Sequence, residues 1–358
     1  MLDYLIIGQG IAGTTLAETL LNHQKTVLVV NDETGFSSSQ VAAGIFNPLT
    51  GKKLHKTWLA DSLFPFLEKF YTDLEKKLNT KFFHKKAIYR PFRGIDEQNE
   101  WLLRASLPEY EHYLDNNPDN QNNNYQNDSY QNYIKNPFGG IATKQAGYVD
   151  LPTLLRAYKT FLVEKNAYIN TNFLYEDVIF EADKVIWKEF SAKKIIFCEG
   201  VKATKNPFLE HLPFSPVKGE ILEIKLLQDN NKNINYSPNI INLGVSLVPI
   251  QQNQTIRVAS TYSWQPLDWE ISAKATQELT EKAAQILSVP FEVVGQVAGV
   301  RPATKNRRPI VGLHHKNALI GVFNGLGSKG VSLAPYLAHC FYEFLEENIP
   351  LPNEINGV

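Results

Sequence analysis

Asp3-Tyr-Leu-Ile-Ile-Gly-Gln-Gly-Ile-Ala-Gly13 carries an apolar run into three glycines, Gly8, Gly10 and Gly13, and continues directly into Thr14-Thr-Leu-Ala-Glu-Thr-Leu-Leu21. Leu5-Ile6-Ile7 reads as a strand buried on both faces, the habit of a parallel sheet, and the residues after Gly13 read as a helix. The first glycine permits the tight turn, the second lets a pyrophosphate approach the backbone, and the third lets the helix pack close to the strand. Around Ile11 and Ala12 the helix start offers free N–H groups and the positive end of its dipole. A second strand, residues 26–30, ends in Asn31-Asp32, where an acidic group would meet an adenosine ribose. A lone G-x-G-x-x-G is weak; set between strand and helix beside a second strand, it marks a dinucleotide site in a Rossmann-like α/β fold.

The chain of 358 residues is long for one core and suits two interleaved domains. Its net charge of −1 gives no global pull toward nucleic acid or an anionic membrane. The N-terminus reads as neither signal peptide nor membrane span, so a cytoplasmic protein is expected. Two distant cysteines, Cys198 and Cys340, then read as buried thiols rather than a disulfide or metal site. The eight histidines are scattered, His314-His315 reads as a polar turn, and no metal is expected.

Residues 33–48, rich in small and hydroxylated side chains, are either a surface loop or a close-fitting cofactor lining; the upstream motif favours the lining. Residues 58–78 read as an amphipathic helix, 81–91 as a strand, and 96–105 as a helix. The Asn/Gln/Tyr-rich stretch 115–136 is too polar to build a core and reads as a surface excursion. Asp150 is placed to cap a helix with Pro152 in its first turn. Residues 170–180 and 184–190 look like strands, and 194–200 like another parallel strand ending in Gly200. From 217 to 258, consecutive strands without helices suggest an antiparallel sheet, followed by a helix at 272–287 and extended structure at 292–299. Asn324-Gly-Leu-Gly-Ser-Lys-Gly330 is a second glycine-rich turn entering an apolar helix, and so a second anion-ready N-terminus.

In order, these motifs resemble the FAD-dependent amine and amino-acid oxidases, the family of glycine oxidase, D-amino acid oxidase and sarcosine oxidase. The pieces are Gly8 to Gly13, Ser37 to Pro48, Gly147-Tyr-Val-Asp150, Ile195 to Gly200, Pro216-Val-Lys-Gly219, Gly299-Val-Arg-Pro302 and Gly325 to Pro335. The Gly325–Gly330 turn is also similar to the oxidase half of the bacterial enzyme that trims carboxymethylaminomethyl groups on tRNA wobble uridine. The resemblance implies an FAD domain assembled from residues 1–80, 141–205 and 297–358. An antiparallel substrate domain would come from 81–140 and 206–296. It also implies hydride transfer from the carbon beside a substrate amine to flavin N5, with oxygen or another acceptor reoxidising the flavin.

By the same resemblance, FAD is bound noncovalently, since neither cysteine stands at the covalent attachment position. Its contacts would come from Gly8, Gly10, Ile11, Ala12, Gly13, Asn31 and Asp32, then Ser38, Ser39, Ala43, Gly44 and Phe46. Val178, Gly200, Gly327, Ser328, Gly330 and Val331 complete the set. Asn31 stands where the family usually has Glu. Ser246 and Ser328 stand where glycine oxidase has tyrosine and arginine, which implies a wider or less cationic pocket than one for glycine. Arg301 is the expected carboxylate anchor, a guanidinium holding the substrate bidentately. Lys329 is expected either to stabilise reduced flavin or to be a solvated lysine. Ser246 is a substrate contact; Phe46, Tyr262 and Trp264 are pocket walls or core.

The leading expectation is therefore oxidation of a small amino acid or secondary amine bearing a carboxylate. A second is a tRNA-modifying oxidase, which needs phosphate-neutralising cations and would draw on Lys52, Lys53, Lys56, Lys305, Arg307 and Arg308 if they converge. A third is a flavoprotein without turnover. An NAD(P) dehydrogenase fits the first motif alone.

Overall fold

The computed structural model describes residues 1–115, 133–227, 239–250 and 255–355. Strand Leu2–Ile7 pairs in parallel with Val27–Asn31 on one side and Phe190–Phe197 on the other. Its last four residues are buried, which is why an unbroken apolar run was required there. Tyr168–Asn170 and Asn317–Asn324 extend this sheet in parallel, and antiparallel strands complete it at eight. Gly8 turns the chain at φ +101°, and a Cβ there would lie 2.6 Å from the Cys198 carbonyl oxygen. At Gly13 a Cβ would lie 1.9 Å from the Gly8 carbonyl oxygen, so helix Ile11–Asn22 can cross this close only with glycine. That helix is buried almost all round, between the sheet and the C-terminal helix Gly330–Glu347. Thr15 and Thr19 survive inside it because each hydroxyl donates to the carbonyl four residues back.

A second eight-stranded sheet stands beside the first. Its order is Phe291–Arg301, Val217–Leu226, Thr255–Ala259, Ser246–Ile250, Ile240–Asn242, Ile88–Pro91, Gly140–Thr143, Leu114–Asp115. All its pairings are antiparallel except Ile240–Asn242 against Ile88–Pro91. Helix Ala273–Ile286 covers one face through Leu279, Ala283 and Ile286.

Several elements depart from the sequence reading. Residues 81–91 divide into two strands in different sheets, Phe83–Lys85 and Ile88–Pro91. The expected strand at 170–180 is broken: Asn170 ends the parallel strand Tyr168–Asn170, a short 3-10 turn follows at Tyr175–Asp177, and Val178–Phe180 pairs in a separate hairpin. Of the polar stretch 115–136, residues 116–132 lie outside the described residues. Its end is not an excursion: Tyr133 and Ile134 are buried in the core of the antiparallel sheet, with Ile134 bridging to Leu287. Asp150 does cap helix Leu151–Glu164, accepting from the Thr153 N–H at 3.2 Å.

Candidate functional site

The carboxyl ends of Leu2–Ile7, Val27–Asn31 and Phe190–Phe197 open onto a cavity of about 1020 Å³ that continues to the antiparallel sheet. Gly8, Gly10, Ile11 and Ala12 form its floor. The first intrahelical bond runs from the Thr14 N–H to the Gly10 carbonyl, so the amides of Ile11, Ala12 and Gly13 have no helical acceptor. Ser39 Oγ takes the Ile11 N–H at 3.1 Å. Gly10, at the N-cap, has no side chain to cap the helix and no acid sits in its first turn, leaving the next amides and the positive end free for an anion. Helix Gly330–Glu347 is equally uncapped by any side chain, and Gly327, Ser328, Gly330 and Val331 at its start face the same cavity. Two bare helix starts on one elongated cavity fit a dinucleotide.

Asn31 and Asp32 both line the cavity. Asn31 Oδ1 accepts the Gln9 N–H at 2.9 Å, tying the glycine turn to the second strand. The Asp32 carboxylate takes the Thr34 hydroxyl at 2.6 Å and the Lys202 ammonium at 3.0 Å, which together hold its pKa down at about 2. Ser38, Ser39, Ala43, Gly44 and Gly200 reach the cavity as the sequence suggested.

Gly13, Phe46 and Val178 do not line it. Gly13 lies beneath the floor as the helix–strand contact. Phe46 is a core residue, stacked on Phe83 at 5.2 Å. Val178 pairs with Trp187 in an edge hairpin, because the 3-10 turn before it carries Tyr175, along with Phe173, to the cavity instead. Two further corrections concern the substrate side. Lys329 does not line the cavity; burial, and after it the charges of Arg308 and Arg307, lower its pKa. Trp264 is exposed and lies off the wall.

Arg301 ends the long strand Phe291–Arg301 and lines the cavity beside Gly219. Its Nη2 donates to Ser260 Oγ at 2.6 Å, and its guanidinium lies 4.4 Å from the centre of the Tyr262 ring. The Tyr262 hydroxyl meets Ser328 Oγ at 3.2 Å, so the glycine-rich turn and the arginine are joined through this one tyrosine. Burial lowers the pKa of Arg301, and among the described residues it has no carboxylate partner. From Gly219 to Val331 it is the one charged residue on the wall; the other charges belong to segments 32–33, 156–159 and 199–205. Ser246 is also on this wall, its Oγ accepting from Asn242 Nδ2 at 2.8 Å. This end of the cavity can hold one anion in an otherwise uncharged setting.

Sequence reasoning gave no site role to Gly219, Ser260 or Glu199. Gly219 entered only as the end of the Pro216-Val-Lys-Gly219 piece of the resemblance, and Ser260 carried no motif. Glu199 follows the apolar strand and lines the cavity, bonded by Tyr175 Oη and Asn206 Nδ2, each at 2.8 Å. Burial pushes its pKa up to about 6, against the lowering effect of those bonds. The histidines are not all scattered either: folding brings His211 to His314 and His315. Among the described residues, no helix is long and apolar enough to cross a membrane.

The family model described as FAD dependent oxidoreductase (DAO) matches residues 3–343. Iminodiacetate oxidase from Chelativorans sp. BNC1 shares the fold at TM-score 0.77 and 16% identity, over 99% of both chains. Glycine oxidase from Bacillus cereus ATCC 14579 does so at TM-score 0.74 and 18% identity, over 98% of this chain and 96% of that one. L-α-glycerophosphate oxidase from Mycoplasma pneumoniae, solved with FAD bound, does so at TM-score 0.67 and 15% identity, over 100% of this chain and 98% of that one. With a match spanning nearly its whole length, and a cavity that offers two bare helix starts to a dinucleotide, this chain belongs to the FAD dependent oxidoreductase (DAO) family.

Proposed function

We propose that the protein oxidises the carbon–nitrogen bond of a small amino acid or secondary amine that bears a carboxylate. One observation carries this reading: a half-buried guanidinium, Arg301, faces the cavity with no carboxylate partner among the described residues. A cation left unpaired in a partly desolvated wall is costly unless an anion arrives, and a planar fork suits a carboxylate. Bound FAD supplies the acceptor for the hydride that leaves the carbon beside nitrogen. The Ala12 amide, the positive end of helix Ile11–Asn22 and the amides opening Gly330–Glu347 would hold its phosphates and flavin.

The chain's own contribution is orientation. Arg301 fixes the carboxylate, Ser260 and the Tyr262 ring fix Arg301, and the exposed Tyr262–Ser328 contact ties that ring to the glycine-rich turn. With no acid on this wall, an ammonium finds no counter-ion, so the substrate amine reacts in its neutral form, its proton released to solvent. Two free, buried thiols suit a reducing, cytoplasmic setting.

The experiment is anaerobic reduction of the FAD-loaded protein by N-alkyl glycines and by D- and L-amino acids, with R301A beside wild type. Bleaching by a carboxylated amine that R301A abolishes supports the reading. Bleaching unaffected by R301A, or no bleaching by any amine, overturns it. Admitting oxygen to the reduced protein then distinguishes an oxidase from a dehydrogenase. A second reading, an amine carried on RNA, is favoured by one observation: Arg307 and Arg308 lie close enough to Lys329, beside the cavity, to shift its titration. Bleaching by modified tRNA alone, with affinity falling steeply in salt, would select it.

A further inference from the structure

The loop after the 3-10 segment Gly200–Lys205 meets the hairpin joining Ile310–His314 to Asn317–Asn324 at residues that do not line the cavity. Leu209 and Leu212 of the loop share a core cluster with Ile310 and Ile320 of the hairpin strands, so a packed base fixes both segments. Above that base stand His211, His314 and His315. His314 and His315 stack with centroids 4.7 Å apart, and His211 meets them edge-on at 5.2 and 5.3 Å. We propose that these three imidazoles form a binding site for a borderline divalent transition-metal ion, with zinc as the reference ion.

One ligand nitrogen from each ring lies within 4.8 Å of the other two. A tetrahedral zinc with bonds of about 2.0–2.1 Å needs nitrogens about 3.4 Å apart, so the rings must close by little more than about 1 Å. His211 and His315 are exposed, and rotation about their side-chain torsions supplies that movement without disturbing the base. Among the described residues, the sole ring-nitrogen hydrogen bond in the set is His314 Nδ1 accepting the N–H of exposed Lys316 at 3.2 Å, and that N–H passes to water when the ring turns to an ion. An all-imidazole set disfavours magnesium and calcium, which take oxygen ligands, and suits zinc, copper or nickel. The fourth position is left to water.

Such an ion would clip the hairpin to the loop that continues from Gly200, Val201, Lys202 and Lys205, all of which line the cavity. Its role is structural, and an ion held by the native state alone raises the melting temperature.

The test uses the full-length, FAD-loaded protein without a polyhistidine tag, stripped of metal with a chelator and titrated with zinc sulfate in a calorimeter. One saturable equivalent is expected for wild type and for H112A, an exposed histidine elsewhere. Affinity should fall at least about tenfold in H211A and in the double variant H314A/H315A. Zinc should raise the melting temperature of wild type and not of H211A. If the alanine variants melt early without metal, H211Q and H314Q/H315Q provide the same comparison. Absence of saturable zinc binding to wild type overturns the proposal. So does a folded H211 variant that binds as tightly as wild type.

Discussion

Gly219→Ala tests the Arg301 assignment without touching the arginine. A Cβ at this position would lie 2.0 Å from Arg301 Nη2 and 2.4 Å from both Cζ and Nη1. Non-bonded atoms settle at about 3.5–4.0 Å, so the guanidinium must retreat by about 1.5 Å. The strand backbone at Gly219 lies outside the left-handed region, so alanine adds no strain there. Folding loses the Ser260 bond and part of the Tyr262 stacking, roughly 1–2 kcal/mol, offset by about 0.4–1 kcal/mol from a stiffer unfolded chain. Stability should therefore fall by no more than about 1.6 kcal/mol by urea denaturation. Catalysis should suffer far more, because misplacing a positioning group by about 1 Å costs about a hundredfold. In stopped-flow reduction by the best carboxylated amine, kcat/KM should fall about a hundredfold, or about 2.7 kcal/mol. The decisive arm is the double variant. If the effect runs through the guanidinium, Gly219→Ala should add almost nothing in an Arg301→Ala background. A wild-type kcat/KM in Gly219→Ala, or an equal loss in both backgrounds, refutes the reasoning.

Other consequences are checked more simply. Lys329→Met should change kcat/KM by less than about fivefold, the scale of a charge acting from outside the cavity; a loss rivalling that of Arg301→Ala would restore Lys329 to the site. Because no acid lines the Arg301 wall, kcat/KM should rise with pH until the substrate's own ammonium is titrated; substrates of lower amine pKa should shift the profile down by the same amount. Glu199, raised from 4.5 to about 6, binds its proton more tightly folded than unfolded. Native stability is therefore eroded as pH rises through that window, by about 2 kcal/mol in all. Glu199→Gln should remove the erosion, gaining on wild type between pH 4.5 and 7 in denaturant titrations; parallel curves would show that the carboxyl is not desolvated. Asp150→Ala should cost about 1 kcal/mol, the usual value of an N-cap, by the same measurement.

The sequence by itself determined the nucleotide half of this protein. Its signals are local: an apolar run buried on both faces, glycines whose absent side chains admit a carbonyl, and helix starts with no capping acid. Each follows from the chemistry of a few consecutive residues, and the same locality let Asp150 be read as a cap. Where residues 170–180 were taken for one strand, the apolar pattern could not distinguish a paired edge from a 3-10 turn that swings Phe173 and Tyr175 to the cavity. Val178, expected at the cofactor from the family resemblance, does not line the cavity. Phe46 and Lys329 lie off the cavity lining while their neighbours Ile45, Ser328 and Gly330 are on it, and motif position does not say which way a side chain faces.

Only the tertiary structure decided the substrate half. Arg301 has meaning because Gly219, far earlier in the chain, leaves its side-chain space empty on the neighbouring strand. Ser260 and Tyr262, from a third segment, then hold the guanidinium. The convergence of His211 with His314 and His315 is of the same kind. Such sites are made by strand register and by loops that meet over a shared core. Those pairings balance burial against chain entropy over the whole chain, and no short stretch of sequence contains that balance.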